Sequence, residues 1–590
     1  MPSPSSSEST EAPPWSDWGI ALGISTLALI LLMNSMGIGF PRDESFYFHA
    51  ASEYLGWFRD LSDHWQAGEL WRSFTRENID EHWSYNAEHP VLMKTLFALS
   101  DQLFHHTLGW TKSSVAMRIP AVLCGSALVG CTYLFARQTF GRLAGVVAAG
   151  ALLFQPRYFW HAHLACFDVP IAFFWTAVVY AYWRSHDSRR WALACGVLFG
   201  LALLTKLNSF FLPLVLGAHW LLTHWRHLRL RRDERGWSIE GPGIPWAFVS
   251  MLVVGPLMFY ALTPRYWFDT WERVRWYLNF HLGHVQYFVQ YFGENVLHPP
   301  LPVSYPWVMT LVTVPLSILI AAGFGITAGL LKWDPLPWAR RWRRALSRGR
   351  LPTDPASDPR ATGLLLAINA LFPIALISLP NTPVFGGTKH WMPAMPFLAI
   401  FAGAGVALAW TLARRRIEAL SSNPRRSVAS TVTAVILASA VLGPAAAATQ
   451  SIHPYGTSYY NTAIGGIRGA ADRQMFRQFW GYVARQGLPW LNRQAPDRSR
   501  VWIHNTTGSA WRTYQDEGLA RRDLRSFHSI RAADYSMFYQ QKAFSHQKAD
   551  IWRHYGTKAP AHVVSHRGVA LLSIYRNDST AGKNGSSRRP

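Results

Sequence analysis

Charge is scarce in this chain. Only 15% of its 590 residues are Asp, Glu, Lys or Arg, against about 25% in ordinary soluble domains. Acidic residues are scarcer still, 34 against 57 Lys and Arg, for a formal net charge of +23. A surplus of that size normally points to nucleic acid, but the low total charge argues against such a partner. Cysteine is nearly absent. Cys124, Cys131, Cys166 and Cys195 lie in or beside apolar stretches without paired spacing, which excludes a disulfide framework and a cysteine metal site. Neither a P-loop nor a dinucleotide-binding glycine fingerprint occurs, so the sequence offers no nucleotide site. Met1–Pro14 is Ser/Pro/Glu-rich and lacks a basic leading segment. That excludes a cleavable signal peptide and predicts a disordered tail. No solenoid-type repeat is visible.

What the chain has is apolar length. Hydrophobic residues make up 49% and aromatic residues 14%. Gly19–Phe40 is long enough to cross about 30 Å of hydrocarbon. Similar stretches lie near 114–136, 142–160, 166–183, 191–205, 208–223, 245–263, 304–331, 361–380, 390–412 and 428–449. The fold expected is mainly α: a polytopic membrane helical bundle of about eleven spans with a small C-terminal α/β domain outside the membrane. Thr205–Ser209 reads either as a loop or as a re-entrant break. The domain plan is a cytosolic tail (1–16), a transmembrane domain (17–449) with a first outer loop at 41–113 and another at 264–303, an α/β domain at 450–575, and a disordered Gly/Ser/Arg-rich end (576–590). Within the α/β domain Ala470–Arg485 reads as helix, and Arg500–His504, His562–Ser565 and Val569–Tyr575 read as strands.

The positive surplus is a topology signal. With the N-terminus inside, the inner loops 137–142, 184–190, 224–243, 332–360 and 413–427 hold 23 basic residues, whereas the outer loop 264–303 balances Arg265, Arg273 and Arg275 against Asp269, Glu272 and Glu294. The bias predicts a cytosolic N-terminus and an external C-terminal domain. One local conflict is an acidic tail before the first span, with Arg42 after it.

Ionisable residues at the outer mouth of such a bundle require a reason, because charge beside hydrocarbon is costly. Asp43-Glu44 follows the first span. A carboxylate there suits deprotonation of an acceptor hydroxyl or stabilisation of positive charge at a sugar C1; solvated charges marking the membrane edge are the plainer reading. His161, His163 and Asp168 sit between the third and fourth spans. They fit a divalent-metal site completed by Asp43 or Glu44, a phosphate site geometrically fixed by Asp168, or simple interfacial polarity. Lys206 ends the apolar run Gly200–Thr205 and suits an anionic phosphate, or it snorkels. Arg118 opens the second span and suits either Asp43 or a phosphate. Lys389-His390 adds positive charge at the start of the tenth span. His89-Pro90 and the aromatic loop Tyr266–Pro306 would cover the site. Asn505-Thr506-Thr507 matches a glycosylation sequon, a pattern common by chance.

The order of these motifs resembles the membrane glycosyltransferases of the C superfamily, particularly family 39, which includes the protein O-mannosyltransferases and the aminoarabinose transferases of lipid A. The resemblance rests on the acidic pair after the first span, His89-Pro90, Arg118-Ile119-Pro120, Asp168 and Gly200–Lys206, and covers about residues 19–410. His453-Pro454-Tyr455 through Gly465-Gly466 resembles bacterial members with an extra outer domain. The family implies inverting attack of an acceptor on C1 of a sugar carried by a polyprenyl phosphate. Asp43 matches the catalytic base and Glu44 its acidic neighbour. Arg118 and Lys206 match positions near carboxylate or phosphate, and Asp168 matches the second-loop acid. Two departures leave the acceptor open: His89-Pro90-Val91 replaces the usual Pro-Pro, and the central domain of eukaryotic O-mannosyltransferases is not recognisable.

The sequence therefore predicts an integral-membrane inverting glycosyltransferase, of a bacterial inner membrane, with a polyprenyl-phosphate-linked sugar donor. Asp43 and Glu44 are its catalytic candidates. Arg118, Lys206, His163, Lys389, His390 and His89 are its phosphate- or substrate-binding candidates, and Asp168 and His161 its supporting or metal candidates. No cofactor is required on this reading, and a divalent metal is the alternative. Partners are the donor, an unspecified acceptor and the bilayer, with no nucleic acid. The rival function is a transporter or flippase of lipid-linked sugar, which binds the same phosphate but breaks no bond.

Overall fold

The computed structural model describes residues 15–233, 236–283, 287–330, 359–384, 386–420 and 426–578. The expected tails fall outside these residues apart from their inner ends: a helix begins at Trp15 and a strand runs to Arg576. Most of the predicted inner loop 332–360 also lies outside them.

Every apolar stretch predicted to span carries helix, although in the first the helix runs Trp15–Met33 and ends short of Phe40. Trp15–Met33, Ser113–Phe140, Arg360–Ile377, Gly387–Leu420 and Ser427–Ile452 are each long and apolar enough to cross a membrane. Others are interrupted, and proline explains two of the interruptions. The 142–160 stretch divides into Arg142–Leu153 and Pro156–His161; Pro156 starts the second helix and Gln155 before it is extended, as residues preceding proline prefer. The 304–331 stretch is bent by 114° between Tyr305–Thr313 and Leu316–Thr327, where Val314 is extended ahead of Pro315. Between Arg189–Leu203 and the next helical turn at Leu207, Lys206 is extended, so Thr205–Ser209 contains a true break. Non-helical backbone at membrane depth is tolerated where it lines a cavity or is buried in protein. These breaks therefore locate the site before any side chain is considered.

Small residues bring the bundle's helices close. A Cβ on Gly403 would strike the Ala144 carbonyl, and one on Gly405 the Ala321 carbonyl. Such contacts replace the hydrophobic drive that is missing between helices in lipid. One acid of the local charge conflict at the N-terminus is paired. Asp17 is buried and paired with Arg137 at 3.0 Å and Arg142 at 3.2 Å, so the acid before the first span is neutralised by the first predicted inner loop.

The predicted first outer loop is folded: the helix Arg42–Gln66 is followed by Arg76–Trp83 and Leu92–Asp101. Residues 264–303 carry the helix Thr270–Leu282 and a short hairpin, Val289–Tyr291 with Glu294–Val296.

The C-terminal unit is built on a mixed five-stranded sheet in the order 525–527, 500–503, 535–539, 569–576, 562–566. The first two pairings are parallel and the last two antiparallel. The three predicted strands are present; 525–527 and 535–539 were not anticipated. The predicted helix Ala470–Arg485 needs correction. Helix occupies Gly466–Asp472 and then Ala484–Gln494, because Gln474, Trp480 and Gly481 take positive φ and interrupt it. This unit docks on the chain just ahead of Asp43. Arg42 N–H donates to the Trp480 carbonyl at 2.9 Å, Phe40 N–H donates to the Tyr514 hydroxyl at 2.8 Å, and Arg485 Nη1 donates to the Ile38 carbonyl at 2.8 Å. Gly39 has no room for a side chain, since a Cβ would overlap the Tyr482 carbonyl oxygen.

That contact gives a test. Gly39→Ala is expected to lose about 1–3 kcal/mol through overpacking. Limited proteolysis in detergent should then release the C-terminal unit faster than in the wild type.

Candidate active site

A cavity of about 480 Å³ opens between the bundle, the first outer loop and the C-terminal unit. Its polar wall carries Arg42, Asp43, Glu88, Arg157 and Lys206, and its apolar wall includes Trp175, Phe211, Phe372, Leu376 and Ile377. The full charges on the wall are three cations against Asp43 and Glu88.

Asp43 and Glu44 part company. Both lie in the first turn of the helix Arg42–Gln66, where consecutive side chains diverge by about 100°. Asp43 faces the cavity, about a quarter exposed, and accepts a hydrogen bond from Lys389 Nζ at 3.1 Å. Glu44 turns into the protein and is fully buried. Its carboxylate takes a two-pronged bond from Arg118, Nε at 2.7 Å and Nη2 at 2.6 Å, and a third from the Ala165 N–H at 2.8 Å. Arg118 also donates to the Gly39 carbonyl at 3.0 Å and lies over the Phe40 ring. The expectation that Arg118 serves Asp43 or a phosphate is corrected: it is buried, committed to Glu44 and off the cavity wall. Glu44 accordingly lies off the cavity wall, held by Arg118.

Lys389 is held by an unusual backbone. Gly386 and Gly387 both have positive φ, and a Cβ on Gly386 would press on the Lys389 and Phe479 side chains. The lysine is buried, with its ammonium 3.8 Å from the centre of the Trp480 ring, a favourable cation–π distance. His390 beside it lines the cavity. Lys206 Nζ donates to Asp168 Oδ1 at 2.6 Å and also reaches the cavity. Asp168 is buried, and its other oxygen lies 3.9 Å from His161 Nδ1. Asp43–Lys389 and Asp168–Lys206 are thus two ion pairs at the cavity edge.

His163 stands apart. It is fully buried, bonded through Nε2 to the Ser35 hydroxyl at 2.8 Å and through Nδ1 to the Phe159 carbonyl at 2.7 Å, and it is absent from the cavity wall. It is placed as a bundle polar contact, and the phosphate expectation for it is corrected. Among the described residues no three His, Cys, Asp or Glu side chains come together as a metal cage. The ammonium of Lys206 occupies the position beside Asp168 that a cation would need, so these residues do not fit the divalent-metal alternative.

His89 lines the cavity, 3.4 Å from the Tyr47 hydroxyl. Burial, seconded by the charges of Lys94 and Lys206, holds its imidazole well below the usual value. It therefore acts as a neutral hydrogen-bonding ring. Lys94 beneath it is fully buried, donating to the Asn86 and His89 carbonyls at 2.7 and 2.9 Å.

Arg157 is the cation that sequence reasoning missed. It is buried, donates to the Tyr459 carbonyl at 3.2 Å, lies over the Tyr460 ring and lines the cavity. No carboxylate pairs with it within 4 Å among the described residues. The signal was present: an arginine inside the apolar stretch 142–160 is expensive and calls for a functional reason.

Residues 88–237 match the family model described as dolichyl-phosphate-mannose-protein mannosyltransferase. The match spans His89, Arg118, Arg157, His161, His163, Asp168 and Lys206, and it bears out the resemblance to C-superfamily membrane glycosyltransferases. Among solved structures the chain is similar to apo ArnT from Cupriavidus metallidurans, at 15% identity over 95% of this chain and 98% of that one, with a TM-score of 0.45. It is also similar to ArnT from the same organism bound to undecaprenyl phosphate, at 15% identity over the same shares and a TM-score of 0.43. A further similar structure is the apo oligosaccharyltransferase of Archaeoglobus fulgidus, at 12% identity over 89% of this chain and 70% of that one, TM-score 0.47. No curated protein matches the chain in sequence.

Lys94 carries a measurable signature. Burial pulls its ammonium down to about 7 from an ordinary 10.5. Between those values the unfolded chain binds the proton that the folded chain has released, so stability rises with pH across that window. Below about 7 both states are protonated and the penalty of the buried charge is constant. The unfolding midpoint of detergent-solubilised protein should therefore rise from pH 7 to 10 by a margin that Lys94→Met removes. Equal slopes in the two proteins would refute this.

Proposed function

We propose that this integral-membrane protein is an inverting glycosyltransferase that moves a sugar from a polyprenyl phosphate to an acceptor hydroxyl. The observation that carries the reading is one cavity that joins a part-exposed carboxylate, Asp43, to the guanidinium of Arg157, which no carboxylate among the described residues neutralises, and to the ammonium of Lys206, beside an apolar flank. In this reaction Asp43 takes the proton of the acceptor hydroxyl as its oxygen attacks C1. The bond from C1 to the phosphate oxygen breaks, and the electron pair leaves with the polyprenyl phosphate. Arg157 and Lys206 hold the charge that develops on that phosphate. Fixed cations in a dry site are worth several kcal/mol to such a step. The flank of Trp175, Phe211, Phe372 and Leu376 suits the first isoprene units of the lipid.

Lys389 keeps Asp43 aimed at the cavity through its 3.1 Å bond. His89, neutral and above the break at Lys206, suits a sugar or phosphate hydrogen bond. Asp168 steadies Lys206 through its 2.6 Å bond, with His161 beside it. The family description makes mannose the first sugar to test. The excess of arginine in the predicted inner loops supports a cytosolic N-terminus. On that orientation the cavity and C-terminal unit are periplasmic in a bacterial inner membrane.

Purified protein given polyprenyl-phosphate mannose and an extract of membrane acceptors should release free polyprenyl phosphate, which a transporter would not. Asp43→Asn is expected to lower transfer by about a thousandfold while retaining the elution profile and melting point of the wild type. Arg157→Ala should cost about a hundredfold in kcat/KM for the donor, in line with loss of one charge-stabilising group. Full activity in Asp43→Asn would overturn the assignment of the base.

A further inference from the structure

The cavity has a second kind of wall, supplied by the C-terminal unit. Gln478 and Gln541 both line it, and they are only 1% and 4% exposed. Gln541 Nε2 donates to the Gln478 main-chain carbonyl at 3.3 Å, which fixes the orientation of that carboxamide. Gln478 Nε2, Gln478 Oε1 and Gln541 Oε1 have no hydrogen-bond partner among the described residues. Buried amide groups in folded proteins are almost always paired. Three unspent groups on two residues that line the cavity point to a ligand that completes them.

Their chemistry restricts the ligand. An anion would use the N–H groups and leave two oxygens unpaired. A cation would do the reverse. A hydroxyl donates and accepts, so neighbouring hydroxyls on a ring satisfy the whole set. The segment continues into Phe479 and Trp480, whose ring centres lie 4.7 Å apart and which also line the cavity. The Trp480 ring is already covered by Lys389, and the partly exposed Phe479 ring offers an apolar surface for the C–H face of a sugar. The phosphate-binding cations Arg157 and Lys206 come instead from the membrane bundle.

We propose that Gln478 and Gln541 form a sugar-hydroxyl subsite that selects the glycosyl group the enzyme handles. The proposal rests on the glycosyltransferase reading above and deepens it. Such hydroxyls occur on both the donor sugar and a glycan acceptor, and the experiment separates the two.

Full-length wild type, Gln478→Leu and Gln478→Ala are compared in detergent. Binding is measured for a short-chain polyprenyl phosphate, for its mannosyl, glucosyl and galactosyl esters, and for the monodeoxy analogue of each ester at every ring hydroxyl. The wild type is expected to bind one ester at least about tenfold more tightly than one of its deoxy analogues. In both variants that ratio should fall to within about twofold, with affinity for the bare lipid phosphate unchanged, which also reports a folded site. If the variants keep the donor ratio but raise KM for added membrane oligosaccharide about tenfold, the subsite reads the acceptor's hydroxyls. If neither quantity moves while the bare lipid still binds, the subsite is refuted and the donor reading stands. If the wild type binds no lipid phosphate at all, the donor reading falls and takes the subsite with it.

Discussion

The ion pair between Glu44 and Arg118 is the constraint on which the site depends. Both side chains are withdrawn from water, and removing one partner would strand a bare charge, at a cost of about 3–5 kcal/mol. The pair joins the chain leaving the first span to the span Ser113–Phe140, and through the Ala165 N–H it reaches the turn ahead of the helix Asp168–Arg184. Asp43 is the residue just before it on the same helix. Once Glu44 is locked, the helix has no freedom to rotate, and the direction of Asp43 is set. The most buried charge in this region thus acts as a hinge pin for the exposed one.

Around that pin three cationic side chains are distributed over breaks in the helices. Arg157 follows the break at Gln155-Pro156, Lys206 sits in the break after Leu203, and Lys389 follows the glycine pair 386–387. Each break releases backbone groups that would be intolerable against lipid, and each is covered by the outer loop or the C-terminal unit. The cost of leaving the helix is therefore met at the place where the chemistry needs short, rigid segments. A hydroxyl chain extends this coupling: Ser45 contacts both Thr507 and Ser509 at 2.9 Å, so the acidic turn is clamped by the same unit that provides Trp480.

Much of the fold was legible because lipid imposes a strict code of length and apolarity, and every predicted span carries helix. The site was legible where an ionisable residue interrupts an apolar run, as with Lys206, or follows one, as with Asp43. Pairing was not legible. Whether Arg118 meets Asp43 or Glu44 depends on a 100° rotation about one helix, which spacing in the sequence does not encode. His163 reads the same as His161 on paper, yet only the latter approaches an acid. Gln478 and Gln541 carried no signal at all, since glutamine on a soluble unit is unremarkable until it is found buried and unpaired. The helix predicted over 470–485 failed for a related reason. Docking demands left-handed backbone at Trp480, and that demand comes from the partner surface, not from local preference.

The roof of the cavity comes from the last fifth of the chain, while Asp43 comes from the first and the apolar wall from the helices between them. The roof and Asp43 are separated in synthesis by every intervening span. An incompletely translated chain could already sit in the bilayer with Asp43 in place, yet Trp480, Asn505 and Gln541 would not be there to close the chamber.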